Sequence, residues 1–101
     1  MSRPRPYEHL ISVGVVTVDD TAKGKTLATL LGASLEQGIA EIMLIPADGA
    51  GTINFDDGDA SAATGFLPTT GLSLLGTKAL FDELKFFATS GSESMTVIQM
   101  G

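Results

Sequence analysis

A chain of 101 residues has the size of one domain, and its hydrophobic content of 44% allows a packed core. The absence of cysteine excludes disulfides and thiolate metal sites. Acidic residues outnumber basic ones by twelve to six, and the four basic residues of the N-terminal third are split between Arg3 and Arg5 near the start and Lys23 and Lys25 in one turn, so the clustered basic face that nucleic-acid binding requires is missing.

The first nine residues predict an extended N-terminal arm. Pro4 and Pro6 hold the residues before them in extended geometry and cannot donate hydrogen bonds to a sheet. The arm also carries Arg3, Arg5 and Tyr7, which are candidates for contact with a neighbouring protein. We therefore divide the chain into an arm at residues 1–9 and a folded domain at residues 10–101.

Short strands with alternating side chains follow the arm. Residues 10–18 are rich in β-branched side chains, and Ile11, Val13, Val15 and Thr17 share one face. This apolar run is about half the length of a membrane-spanning helix, and it is flanked by acidic residues, so we expect no membrane segment. Further strands are predicted at residues 39–45, 52–55, 72–74, 84–89 and 95–100.

Two segments have helical spacing instead. Leucines recur in residues 26–35, which favours one or two helical turns, although the choice between helix and strand stays open. Thr77 is placed to cap a turn over residues 77–83 that brings Leu80, Phe81 and Leu84 together under the next strand. Residues 60–70 read as a long loop.

These elements predict an all-β fold. We expect a single compact β-sandwich, jelly-roll-like or a partial barrel, of about six to eight short strands. One or two short helical turns and the extended arm complete it.

The sequence offers little catalytic chemistry. His9 is the only histidine, and no nucleophile or paired carboxylate stands at a recognisable spacing from it. Neither a GxSxG elbow nor an HExxH motif occurs. We therefore predict a protein that is not an enzyme and that uses no cofactor.

Two glycine-containing turns resemble ligand sites only in part. Residues 48–52 lack the lysine and the following helix of a phosphate-binding loop, which favours a hairpin turn. Asp56, Asp57 and Asp59 surround Gly58 and carry the oxygen ligands that calcium prefers, but the alternate-position carboxylates and distal Glu of an EF-hand are absent. An Asp-Gly turn is the simpler interpretation, so no metal site is predicted.

Several predicted strands are apolar on both faces. In residues 39–45 the inward set Ala40, Ile42 and Leu44 is matched by Met43 and Ile45 opposite. Either the segment at residues 27–35 covers the second face, or that face meets another subunit. The second interpretation gives as candidate interface residues Met43, Ile45, Phe87, Ile98 and Met100, together with Arg3, Arg5 and Tyr7 of the arm.

The order of motifs resembles a known family of proteins. A leucine-rich turn at residues 25–35 is followed by a strand that ends at Pro46. An aromatic and acidic turn comes next at residues 55–58, with Thr64-Gly65 after it. A Gly-Leu-x-Leu strand at residues 71–74 and a Leu-Lys-Phe strand at residues 84–86 complete the pattern. This arrangement resembles the small virion structural proteins of tailed phages and prophages.

The resemblance implies a β-sandwich subunit with no catalytic residues. It suggests a capsid decoration, or cement, protein whose partner is the major capsid protein or another virion protein. Self-association as a trimer or another symmetric oligomer is expected, without nucleic-acid or membrane partners. The expected location is the virion, after synthesis in the bacterial cytoplasm.

Two other functions fit the same sequence. One is a minor head-tail, tail or fibre-anchoring component, which differs in copy number per particle. The other, ranked third, is a ligand-binding β-domain of the host. Its pocket would take polar groups from Asp56, Asp57 and Asp59.

Overall fold

The computed structural model describes residues 10–47, 53–61, 64–68, 70–89 and 91–101. Eight strands and two short helices occur in this part of the chain. In chain order they are β1 Leu10–Asp19, β2 Lys25–Thr26, α1 Leu27–Leu31, β3 Glu41–Pro46, β4 Ile53–Asp56, β5 Gly65–Phe66, β6 Leu72–Leu75, α2 Lys78–Glu83, β7 Lys85–Ala88 and β8 Ser92–Met100.

The strands form two four-stranded antiparallel sheets, with the orders β1-β8-β3-β6 and β2-β7-β4-β5. The first strand pairs with the eighth, the second with the seventh, the third with the sixth and the fourth with the fifth. A long hairpin rolled up on itself gives this pairing, which defines a jelly roll. The all-β sandwich predicted from the sequence is confirmed, and of the two forms expected it is the jelly roll.

Side chains along each strand point alternately to the two faces of its sheet, and the apolar set points toward the other sheet. The core therefore lies between the two sheets. The Phe55 and Phe86 rings stack across β4 and β7 at 6.1 Å between centroids. The largest completely buried side chains are those of Phe81, Phe86, Leu27, Ile42, Leu44, Ile53, Leu67, Met95, Val18, Val97 and Asn54.

Helix α1 is short because its sequence caps it at both ends. The Thr26 side chain accepts a hydrogen bond from the backbone N–H of Thr29, and Gly32 follows the helix in the left-handed conformation. Helix α1 packs against the core side of β1, since a Cβ added to Gly14 would lie 3.0 Å from Leu31 Cδ2. The residues after it stay on that side, because the Glu36 N–H donates to the inward Gln99 side chain at 2.8 Å.

Helix α2 begins where the sequence predicts, with Thr77 accepting a hydrogen bond from the N–H of Leu80. Phe81 and Leu84 are buried as expected. The prediction that Leu80 joins them is wrong, since its side chain is 44% exposed. The helix is only six residues long, so it turns one narrow side to the core and leaves Leu80 at its margin.

The turn between β1 and β2 requires glycine at position 24. Gly24 has a φ of 78°, and an added Cβ would lie 3.0 Å from both Ala60 Cβ and the Phe86 carbonyl oxygen. The close approach lets the Ala60 N–H donate to the Lys23 carbonyl at 3.1 Å. The segment after β4 is thereby tied to the start of β2.

Some predicted boundaries are corrected by tertiary contacts. Strand β3 begins at Glu41, so Ala40, predicted to face inward, precedes the strand and is exposed. The expected loop at residues 60–70 contains the short strand β5 and the buried Ala60. Strand β8 begins at Ser92, three residues before its predicted start, because it pairs with β1 along its whole length.

Candidate functional site

The strongest candidate site is the face of the first sheet that points away from the core, here called the outer face. Its middle is formed by two rows of side chains that cross the sheet. In one row Ile98 stands between Val13 and Met43, and in the other Thr96 stands between Val15 and Ile45. The outer face comprises Ile11, Val13, Val15, Thr17, Ser94, Thr96, Ile98, Glu41, Met43, Ile45, Ser73 and Leu75.

Apolar side chains on this face are open to solvent. The exposed fractions are 57% for Val13, 71% for Val15 and 78% for Leu75. Met43, Ile45 and Ile98 are half-buried, as expected for the inner strands of a sheet whose neighbours shield them. A contiguous apolar patch of this kind marks an interaction surface more often than an isolated exposed leucine does.

Charge is scarce on the outer face. Among the described residues its ionisable side chains are those of Glu41, beside Leu75 at one margin, and Asp19, at the end of β1. Lys25 Nζ contacts the Asp19 carboxylate at 2.8 Å. The hydrogen bonds from Lys25 and from the Thr21 N–H hold the pKa of Asp19 well below its usual range. Since this carboxylate already has its own cation, it needs none from a partner.

The outer face is not covered by α1 and the residues that follow it. Of the two interpretations drawn from the sequence, coverage by residues 27–35 is wrong, because Leu27 and Leu35 belong to the core between the sheets. Gly14 and Gln99, which contact that segment, also point inward. The second interpretation, contact with another subunit, stays a prediction.

The structure brings together some of the predicted interface residues. Met43, Ile45 and Ile98 share the outer face, and Met100 has the same orientation but is buried. Phe87 lies elsewhere, since it is paired with Asn54 on the outward side of the second sheet. Arg3, Arg5, Tyr7 and His9 lie outside the described residues, as do residues 48–52.

Sequence reasoning did not select the edge residues Val13, Val15 and Leu75. The signal was present in β1, where both alternating faces are apolar, as they are in β3. The alternation alone does not say which face points outward. That choice depends on α1 packing against Gly14, which is a tertiary contact.

The outward side of the second sheet is more polar and partly covered by its own chain. Asn54 points to this side yet is completely buried. Its Nδ2 donates to the Thr64 carbonyl at 2.8 Å, and its Oδ1 accepts from Thr89 Oγ1 at 2.5 Å. Within the part of the chain that the structure describes, the two sheets therefore differ, and the first presents the broad apolar face.

The acidic turn after β4 has partners within the chain. Asp56 Oδ1 accepts from the Asp57 N–H at 2.8 Å, and Lys85 Nζ contacts Asp59 Oδ1 at 3.1 Å. Lys85 is also the cross-strand neighbour of Asp56, so a cation of the chain already lies at this turn. No group of three metal-ligating side chains occurs among the described residues.

An open cleft of about 460 Å³ lies beside this turn. It separates the edge of β6 from α2 and the β4–β5 side of the sandwich. Its walls are mainly apolar, and the carboxylates of Asp56 and Asp57 stand at the rim. The lining residues are Phe55, Asp56, Asp57, Gly65, Leu74, Leu75, Leu80 and Leu84.

Neither helix in the described part of the chain is long and apolar enough to cross a membrane. A scan against protein-family models found no match, and neither did searches of the curated proteins and of the solved structures.

Proposed function

We propose that this chain is a structural protein of a tailed-phage particle, and that it decorates the capsid. The outer face of the first sheet lies on a capsid subunit, and the acidic loops face solvent. The observation that carries this proposal is the apolar, charge-poor outer face, which a partner with an apolar surface would bury. The motif order that resembles small virion proteins supports the same assignment.

The architecture is compatible with this role without being specific to it. Jelly rolls occur in viral capsid proteins, and also in lectins and cupins. Function therefore has to be argued from the surface and not from the fold. In a decoration protein the surface acts by burial alone, through interfaces of roughly 800 Å² per partner that are repeated by the symmetry of the shell.

A binding assay with particles that lack the protein tests the proposal. Purified wild-type protein should bind such particles and sediment with them. Met43→Lys places an uncompensated charge in the middle of the outer face and should weaken binding by about tenfold or more, since desolvating an unpaired charge is costly.

Leu80→Lys is the matched control. Leu80 is likewise apolar and accessible, with 44% of its side chain exposed, but it lies on α2 and outside the outer face. This variant should bind like the wild type, and circular dichroism should show that both variants are folded. Equal binding by Met43→Lys and the wild type would refute the outer face as the attachment surface.

The N-terminal arm has a proposed role in the same attachment. Arg3, Arg5 and Tyr7 would tie the subunit to a neighbour in the particle. Deletion of residues 1–7 should leave the thermal unfolding of the domain unchanged and prevent incorporation into particles. Unchanged incorporation would remove the arm from the mechanism.

The cleft beside β6 favours a second candidate, a ligand-binding β-domain of the host. Its volume lies in the range of small-molecule sites. Its leucine walls and the two carboxylates at its rim suit a ligand that carries both an alkyl chain and a positive charge. Calorimetric titration with an alkyl-trimethylammonium probe tests this function. Saturable binding that Leu80→Lys removes would support it, since Leu80 lines the cleft and is exposed, and the absence of binding would leave the structural role alone.

A further inference from the structure

We infer that two copies of this chain pair edge to edge through β1, across a two-fold axis, so that their first sheets form one continuous eight-stranded sheet. The inference rests on the β1 edge and does not depend on the proposed function. The partner is a second copy of the same chain. Strand β1 forms the longest edge of the two sheets.

Edge strands of natural sheets are usually blunted. They are short, or they carry lysine, proline or a bulge that prevents another strand from pairing. Three of the four edge strands here are short, since β2 and β5 have two residues each and β6 has four. Strand β1 has ten residues and, among the described residues, pairs only with β8.

The β1 edge also lacks the other protections. Its single irregularity in register lies between Leu10 and Ser12, at one end of the strand. From Ser12 to Val18 the strand has no proline and no charged residue. It therefore keeps a row of backbone donors and acceptors that can pair with another strand.

A second copy of β1 fits this edge better than an unrelated charged partner. An antiparallel pair about a two-fold axis keeps the outward faces together whenever the axis passes through a residue position, and an axis at Gly14 or Val15 pairs the greatest length of β1. With the axis at Val15, the two copies of Val15 are directly opposite each other. With the axis at Gly14, each Val15 is opposite Val13 of the second copy and is the diagonal neighbour of its Val15. The middle of the strand carries no charge, so no like charges face each other although the whole chain has a net charge of −6.

The pairing closes on itself. Each copy has one long edge, and that edge is used once, so association stops at a two-fold dimer. Cross-strand contacts between Val13, Val15 and Thr17 of the two copies bury the exposed valines at the β1 margin of the outer face. The remainder of the outer face stays available and is doubled in extent.

Light scattering on the purified full-length protein tests the inference, with charged substitutions at Val15. Val15→Lys and Val15→Glu should each weaken dimerisation by about tenfold or more, because like charges meet near the axis. An equimolar mixture of the two variants should recover a dimer, since each pair then joins opposite charges. Leu75→Lys, on the short edge strand β6, should dimerise like the wild type.

The outcomes separate this inference from the others. A wild-type monomer, dimerisation unaffected by Val15→Lys, or a mixture that stays monomeric would each overturn edge pairing. A wild-type monomer that dimerises only after deletion of residues 1–9 would show that the arm covers the β1 edge, and would overturn it too. A monomer that nevertheless binds particles would leave the proposed function standing.

Discussion

Replacing Asn54 tests the difference between the two sheets. This side chain is on the outward side of the second sheet but is completely buried, because it bonds to the Thr64 carbonyl and to the Thr89 hydroxyl. We attribute the covering of that sheet to these bonds. We therefore expect Asn54→Ala to loosen the β4–β5 segment and to destabilise the domain.

The expected size follows from the bonds that are lost. Each of the two hydrogen bonds contributes about 1 kcal/mol, and the small cavity left by the side chain adds to this. We expect the free energy of unfolding to fall by about 2–3 kcal/mol in total. For a domain of this size, that corresponds to a decrease in Tm of roughly 10–20 °C.

Urea unfolding followed by circular dichroism measures the change. Ser73→Ala, at an exposed polar position on the first sheet, serves as the control and should change the free energy of unfolding by less than about 0.5 kcal/mol. An equally small change for Asn54→Ala would refute the argument that Asn54 fixes the segment over the second sheet.

Three further substitutions test other parts of the fold. Phe81→Ala should cost about 3–5 kcal/mol, because it empties a completely buried site, and a loss below about 1 kcal/mol in urea unfolding would contradict this. Gly32→Ala should lower the free energy of unfolding by about 1 kcal/mol, since Gly32 has a φ of 73°. Gly58→Ala, at an open position without a positive φ, is the control and should be neutral. Equal effects of the two substitutions would contradict the role of Gly32 in ending α1. Asp19 has a lowered pKa in the folded state, so the stability that its contact with Lys25 contributes is fully present above the unfolded pKa of about 3.9. It declines as the pH falls from there through the lower folded pKa. Asp19→Asn should therefore reduce the loss of stability between pH 7 and pH 3, and an undiminished loss would exclude this contact as a source of acid sensitivity.

The sequence predicted elements whose signals are local. Strand β1 ends within one residue of its predicted limit, because alternating β-branched residues stop at two aspartates. The short helices follow from Thr26, Gly32 and Thr77, whose cap chemistry depends on neighbours in the chain. Such features need no knowledge of tertiary structure.

The features that the sequence did not predict depend on distant contacts. Strand β5 has two residues and exists through pairing with β4, so it has no periodicity to detect. Ala60 is buried because Gly24 admits it closely, and these positions are far apart in the chain. The exposure of the outer face likewise depends on which side of β1 the helix α1 occupies.

The same dependence on distant contacts explains why only part of the candidate site was predicted. Apolar residues on both faces of β3 and β8 indicated Met43, Ile45 and Ile98, which share the outer face. The same criterion selected Phe87, which belongs to the other sheet. A strand pattern identifies a surplus of apolar residues, and only the topology shows which of them share a surface.

The number of copies in each purified particle decides between a decoration protein and the other virion roles. Quantitative mass spectrometry against the major capsid protein gives this ratio. A decoration protein predicts hundreds of copies, while about six to twelve copies would indicate a ring at the portal or tail. A chain that is absent from the particles would contradict the virion role altogether.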